Sequence, residues 1–139
     1  MTKKIWIGSV AVFVTTQFIE GFLNLFLLGP VYSSYPQIWR PLAEMVLWII
    51  PLGGVFFSFF FVFIFSKGYE GKGLLEGVRY GLYVALLVAL PTSVSNYAMM
   101  QIPSSLAVQW VTFSALEYVI AGAILSGVFQ LHTESSIST

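Results

Sequence analysis

Cysteine is absent from the 139-residue chain, which excludes a disulfide framework, thiol redox chemistry, thiolate metal sites and c-type haem attachment together. Histidine is nearly absent. The single one, His132, falls in a polar C-terminal stretch, so the apolar part of the chain offers no imidazole as a haem or zinc ligand. Charge is scarce too: charged residues are 9% of the chain, six glutamates against six Lys and Arg, where soluble domains carry about 25%. A solvated surface cannot be built from so few, which argues against cytosolic enzymes and nucleic-acid binders.

What remains is apolar. Hydrophobic residues make up 58% of the sequence and the mean hydropathy is +0.87. A membrane-crossing helix needs roughly 20 mainly apolar residues, and four segments qualify: 5–28, 42–65, 74–97 and 106–131. The connections 29–41, 66–73 and 98–105 are short and hold most of the loop prolines, as links between antiparallel neighbours do. The expected fold is an all-α membrane protein of one domain, four transmembrane helices in an up-down antiparallel bundle, with residues 132–139 as a polar tail.

Lys3, Lys4, Lys67 and Lys72 fall on one side of this arrangement, with Arg79 just inside the third segment, and only Arg40 on the other. The positive-inside rule then makes both termini cytoplasmic. Trp6, Tyr69 and Tyr80 would mark the inner interface and Tyr32, Tyr35, Trp39, Tyr97 and Trp110 the outer one. The first segment is expected to stay as an anchor, since no small-residue cleavage site follows and its apolar run continues to Leu28.

Through the third segment, small residues recur every four positions: Gly73, Gly77, Gly81, Ala85, Ala89 and Ser93. That spacing makes a slowly drifting ridge along one helix face, on which two backbones can approach closely in lipid. The ridge would pack on a neighbouring helix of the same chain or, as the second reading, on another copy or partner. Gly122 with Ser126, and Ala123 with Gly127, offer a matching surface on the fourth segment.

Gln17, Glu20 and Asn24 share a face of the first segment by their three- and four-residue spacing, and Glu117 lies near the middle of the fourth. At 1.5 Å per residue, Glu20 and Glu117 sit roughly 12 Å and roughly 15 Å below the outer ends of their helices, at a common depth. A charge there costs at least about 2.5–3.5 kcal/mol, so such residues face the bundle interior and pair, protonate or bind something. Two carboxyls at one level can share a proton, hold a cation with amide oxygens, or each be a neutral acid bonded to a neighbour.

Other features have blander readings. Pro51 and Pro91 are expected to break the second and third helices in their outer halves, and the polar cluster after Pro91 could make a small wet vestibule. Glu76 and Arg79, three apart, are expected to neutralise each other as an inner charge pair. Seven phenylalanines between Phe56 and Phe65 cover every face of a helix, so some rings meet lipid and others the bundle. The glycine-rich run Lys67–Gly73 lacks the spacing of a phosphate-binding loop and reads as a tight turn. Met45, Met99 and Met100 could in principle offer soft copper ligands, but methionine is more often a filler.

The run Lys67-Gly68-Tyr69-Glu70-Gly71-Lys72-Gly73, then Glu76-Gly77-Val78-Arg79-Tyr80-Gly81, with Trp110, Glu117 and Gly122 later, resembles an uncharacterised family of small bacterial four-span membrane proteins. The resemblance implies the architecture and a bacterial inner membrane, and no activity. No nucleophile with an adjacent base is present, so no catalytic residue, metal or cofactor is assigned. The leading expectation is a non-enzymatic helix-packing module or accessory subunit, its partners the lipid bilayer and a second copy or larger membrane complex. The alternative is a small proton- or cation-coupled transporter centred on Glu20 and Glu117.

Overall fold

A computed structural model describes residues 2–137, without the side chains of residues 2, 42, 132 and 134–137. Helix α1 is Thr2–Phe22, prolonged by one wide π turn at Leu23–Leu27, and the short α2 is Gly29–Ser33. After a 3-10 turn at Leu42–Glu44 come α3 (Ile49–Gly68), α4 (Leu74–Val84), a second π turn (Ala85–Ala89), α5 (Leu90–Met99) and α6 (Ser104–Ile137). Among the described residues there is no strand. Four helical rods are long and apolar enough to cross a membrane: Lys3–Leu27, Ile49–Gly68, Leu74–Met99 and Ser104–Leu131.

The second rod starts at Ile49, not at Leu42 as its apolar run suggested. Pro41 lends its carbonyl to the Glu44 N–H and closes a tight turn, so residues 42–48 join the connection. Pro51 consequently sits in the first turn of α3, where a missing N–H has no partner to lose, and it breaks nothing. Pro91 likewise lies near the start of α5. Its missing N–H is absorbed by the π turn just before it, where the Leu90 N–H bonds to the Ala85 carbonyl. Residues 132–137 continue α6, so that part of the expected tail is helical in its backbone; the His132 side chain and residues 138 and 139 lie outside the described residues.

Helix α6 packs along α4 and α1, and α3 packs on α1. Both ends of the described chain lie at one end of the bundle, where Lys4 Nζ donates to Thr133 Oγ1 at 3.0 Å. From there α1 and α6 run antiparallel. A Cβ on Gly8 would touch Leu125 and Phe129, and the same register, residue for residue, brings Glu20 level with Glu117.

The α4–α6 seam is the closest in the molecule. Gly77 faces Gly122, Gly81 faces the backbone of Tyr118, and Ser126 Oγ donates to the Gly73 carbonyl at 2.8 Å. A four-residue step overshoots an α-helical turn by about 40°, which would carry the ridge off its face. The π turn at Ala85–Ala89 is wider and takes back part of that drift, so Ala85, Ala89 and Ser93 stay buried with Gly77 and Gly81. The ridge therefore packs on α6 of the same chain.

Two apolar clusters hold the ends together. Val12, Phe61, Val62, Phe65, Leu125 and Phe129 fill the end that carries the termini; Leu28, Ile102 and Leu106 fill the other. The phenylalanine run divides as expected: Phe61 and Phe65 are in the core, while Phe56 and Phe60 face outward. At the terminal end, Gly71 and Gly73 take φ of 75° and 87°, a left-handed backbone that glycine adopts at little cost. They fold the α3–α4 turn so that Glu76 can reach it.

Candidate functional site

Between the two apolar clusters the bundle holds a half-open cavity of about 430 Å³. Helix α1 contributes Gln17, Glu20 and Asn24, α6 contributes Ser114 and Glu117, and no Lys or Arg lines it. The four residues singled out at mid-segment thus converge on one space. Gly53 and Gly54 of α3 also line it; lacking side chains, they leave the volume open.

The carboxyls are held differently. Gln17 Nε2 donates to Glu20 Oε2 at 3.3 Å. Glu117 is 8% exposed, faces the cavity, and receives no hydrogen bond from a described protein group. Asn24 Nδ2 donates to the Glu20 carbonyl at 2.9 Å, and its Oδ1 accepts from the Tyr32 hydroxyl at 2.8 Å. The Tyr32 oxygen in turn accepts from Trp110 Nε1 at 3.0 Å. This chain of donors ties α1, α2 and α6 together over the cavity.

Above it, Trp39 packs on Tyr32 with ring centroids 4.8 Å apart and on Trp110 at 6.2 Å. Its Nε1 is buried without an acceptor among the described residues. Tyr32, Trp39 and Trp110, expected at the outer interface, pack on one another as a half-buried cluster, in which Asn24 accepts from Tyr32 and Tyr32 from Trp110. Tyr80, expected at the inner interface, turns inward and donates to the Phe61 carbonyl at 2.6 Å. Sequence reasoning missed the Tyr32 and Trp110 contributions; their spacing of 78 residues leaves no local signal.

Two further cavities adjoin the first. One, of about 410 Å³, is lined by Thr92, Ser93 and Asn96 with Asn24 and Tyr32, where a polar vestibule was expected. The other, of about 920 Å³, shares Gln17, Glu20 and Asn24 but has largely apolar walls, among them Leu25, Met45, Leu47 and Ile50, with Arg40 and Trp39 also lining it. Met45 lines this space, Met99 is exposed and Met100 packs beside Ile102 and Leu106, so the three methionines occupy different places. Among the described residues, no three His, Cys, Asp or Glu side chains gather as a metal site would need.

Glu76 and Arg79 do not form the expected ion pair among the described residues. Side chains on a helix lean toward its N-terminus, and from the first turn of α4 the Glu76 carboxylate finds better donors. Its Oε1 accepts from the Glu70 N–H at 2.6 Å and its Oε2 from the Lys72 N–H at 2.8 Å. Lys72 instead pairs with the Glu70 side chain, whose carboxyl is held below its ordinary range first by that hydrogen bond and then by the Lys72 charge.

No family model, curated protein or solved structure matches this chain.

Proposed function

We propose that the protein is a multi-pass membrane protein that binds a cation in the cavity between Glu20 and Glu117, as the core of a small proton- or cation-coupled transporter. One observation carries this reading: two carboxyls from different helices, that of Glu117 only 8% exposed, line one half-open cavity whose own lining holds no Lys or Arg. A carboxyl at membrane depth needs a proton, a partner or a ligand, and the buried Glu117 receives no hydrogen bond among the described residues. The cavity beside Asn96 shares Asn24, Tyr32 and Ser114 with this one.

Lys3, Lys4, Lys67 and Lys72 support placing the terminal end in the cytoplasm, and the resemblance to small bacterial four-span proteins supports the bacterial inner membrane. A role as an accessory subunit draws no support from the glycine ridge, which α6 occupies. It rests instead on the outward rings of α1 and α3, such as Phe18, Phe22, Phe56 and Phe60, which suit lipid equally well.

The test is flux. Reconstituted in liposomes, the wild-type chain is expected to move protons or a monovalent cation down an imposed gradient, and Glu20→Gln and Glu117→Gln each to stop it while eluting as the wild type does. Flux undiminished in the double variant would remove the reading.

A further inference from the structure

Resting on that reading of the site, we propose that its ligand is an amine-bearing amphiphile, with the ammonium head between Glu20 and Glu117 and the hydrocarbon tail in the adjoining apolar cavity. The head cavity is lined by the two carboxyl side chains and by the aromatic side chains of Tyr32, Phe57, Trp110 and Tyr118. Acidic oxygens and ring faces together suit an organic ammonium, which takes both hydrogen bonds and cation–π contact.

The second cavity explains why the ligand has a tail. It is about 920 Å³, far beyond what an inorganic ion or a few waters fill, since a water's share of liquid is about 30 Å³. Its walls at Leu25, Met45, Leu47 and Ile50 are hydrocarbon, and these residues are exposed at the bundle surface, so the space opens sideways. It lies beside the acidic cavity, with which it shares the lining residues Gln17, Glu20 and Asn24. A molecule entering between α1 and the start of α3 would keep its tail in apolar surroundings while its head reached the carboxyls. Arg40 also lines this space and would supply the positive partner for a phosphate attached to the amine. The same ammonium chemistry could thus come from an aminophospholipid of the bilayer or from a free long-chain amine.

Two glycines separate head from tail. Gly21 lines only the apolar cavity and Gly53 only the acidic one, and a Cβ on either meets nothing within 4 Å. The wild type in phosphatidylcholine nanodiscs is titrated with ethylammonium and dodecylammonium, binding read from Trp fluorescence. Membrane partition is subtracted with discs carrying the Glu20→Gln/Glu117→Gln variant. The expected results are dodecylammonium binding at least about tenfold tighter than ethylammonium, Gly21→Phe abolishing that preference while ethylammonium still binds, and Gly53→Leu weakening both.

Equal affinity for the two chain lengths overturns the tail site yet leaves the cation reading standing, and this arm needs no variant to fold. Failure of both ammonium ions to bind while proton or inorganic-cation flux persists overturns the amphiphile alone; failure of binding and flux together overturns both readings. Phosphatidylethanolamine added to the discs distinguishes the sources. Displacement of dodecylammonium that weakens in Arg40→Ala assigns the amine to the bilayer lipid, and no displacement assigns it to a free amphiphile.

Discussion

Gly77 and Gly122 meet backbone to backbone: a Cβ built on either would penetrate the carbonyl oxygen of the other. Gly81 stands in the same relation to the Tyr118 carbonyl. Such closeness replaces side-chain interdigitation with direct contact of two helix backbones, which is where packing energy comes from when the surroundings are as apolar as the core. It also fixes the level at which α6 presents Glu117, so a seam with no chemistry of its own sets the position of a residue that has some.

Even the smallest substitution should therefore fail. Gly77→Ala, Gly81→Ala and Gly122→Ala each set a methyl group against backbone that cannot turn aside, and each is expected to cost more than about 3 kcal/mol, the upper end of ordinary overpacking. Gly21→Ala and Gly53→Ala meet open space and should be neutral or stabilising by up to about 1 kcal/mol, through helix propensity. Thermal unfolding in detergent separates the two sets; equal melting across all five would mean the seam is looser than described.

Glu20→Gln and Glu117→Gln keep the shape of each side chain and remove its charge. Both variants should fold, and Glu117→Gln should melt no lower than the wild type, because the carboxyl it replaces has no hydrogen bond from a described protein group. Loss of proton- or cation-dependent flux with retained melting is the expected pattern. A large drop in melting temperature for Glu117→Gln would instead assign the carboxyl a structural role.

Glu76 accepts two backbone N–H groups of the α3–α4 turn at 2.6 and 2.8 Å. In Glu76→Gln one oxygen remains to accept and the new NH2 group opposes the other donor, so roughly 1–3 kcal/mol should be lost. Arg79→Gln, with no ion pair to break among the described residues, should be nearly silent. Hydrogen exchange at the Glu70 and Lys72 amides reads this directly; protection unchanged in Glu76→Gln would contradict the assignment.

How far the sequence reaches is visible in these residues. The length of the apolar runs is enough for four helices, because crossing a bilayer demands nearly uninterrupted hydrophobicity, and the four-residue repeat is enough to mark the ridge. Glu20 and Glu117 could be set at one depth by counting along helices of known rise. The start of α3 could not be read, since residues 45–50 are equally apolar in a loop and in a helix. Nor could the partner of Glu76, because i,i+3 spacing offers Arg79 while the competing donors exist only once Gly71 and Gly73 have folded the turn back. The packing of Tyr32, Trp39 and Trp110 on one another was hidden for a different reason: an amphipathic ring suits an interface belt and a polar cavity rim alike.

Glu70 provides a pH-dependent probe of that turn. The Lys72 hydrogen bond and charge hold its carboxyl below the ordinary 4.5, so the pairing is complete above that value and disappears as pH falls through the lowered one. In Lys72→Ala the Glu70 titration should move up toward its ordinary value, followed by NMR of the side-chain carboxyl. Being exposed, the pair should leave the melting temperature nearly unmoved; an unshifted titration would show that the pair does not persist in solution.

Tyr32 is the joint of the hydrogen-bonded chain over the cavity, donating to Asn24 at 2.8 Å and accepting from Trp110 at 3.0 Å. Tyr32→Phe keeps the ring against Trp39 and removes only the oxygen. It leaves the Trp110 N–H and the Asn24 Oδ1 without their partner, and two unmet polar groups in a half-buried site should cost about 2 kcal/mol or more in total. The same loss unties α2 from α1 and α6, so Trp39 and Trp110 should become more accessible to acrylamide quenching. Trp110→Phe should reproduce part of the destabilisation, and the double variant should fall short of the sum of the two singles, because both remove the same bond. Strict additivity of the two would show that Tyr32 and Trp110 act independently and that the chain over the cavity is not a coupled unit.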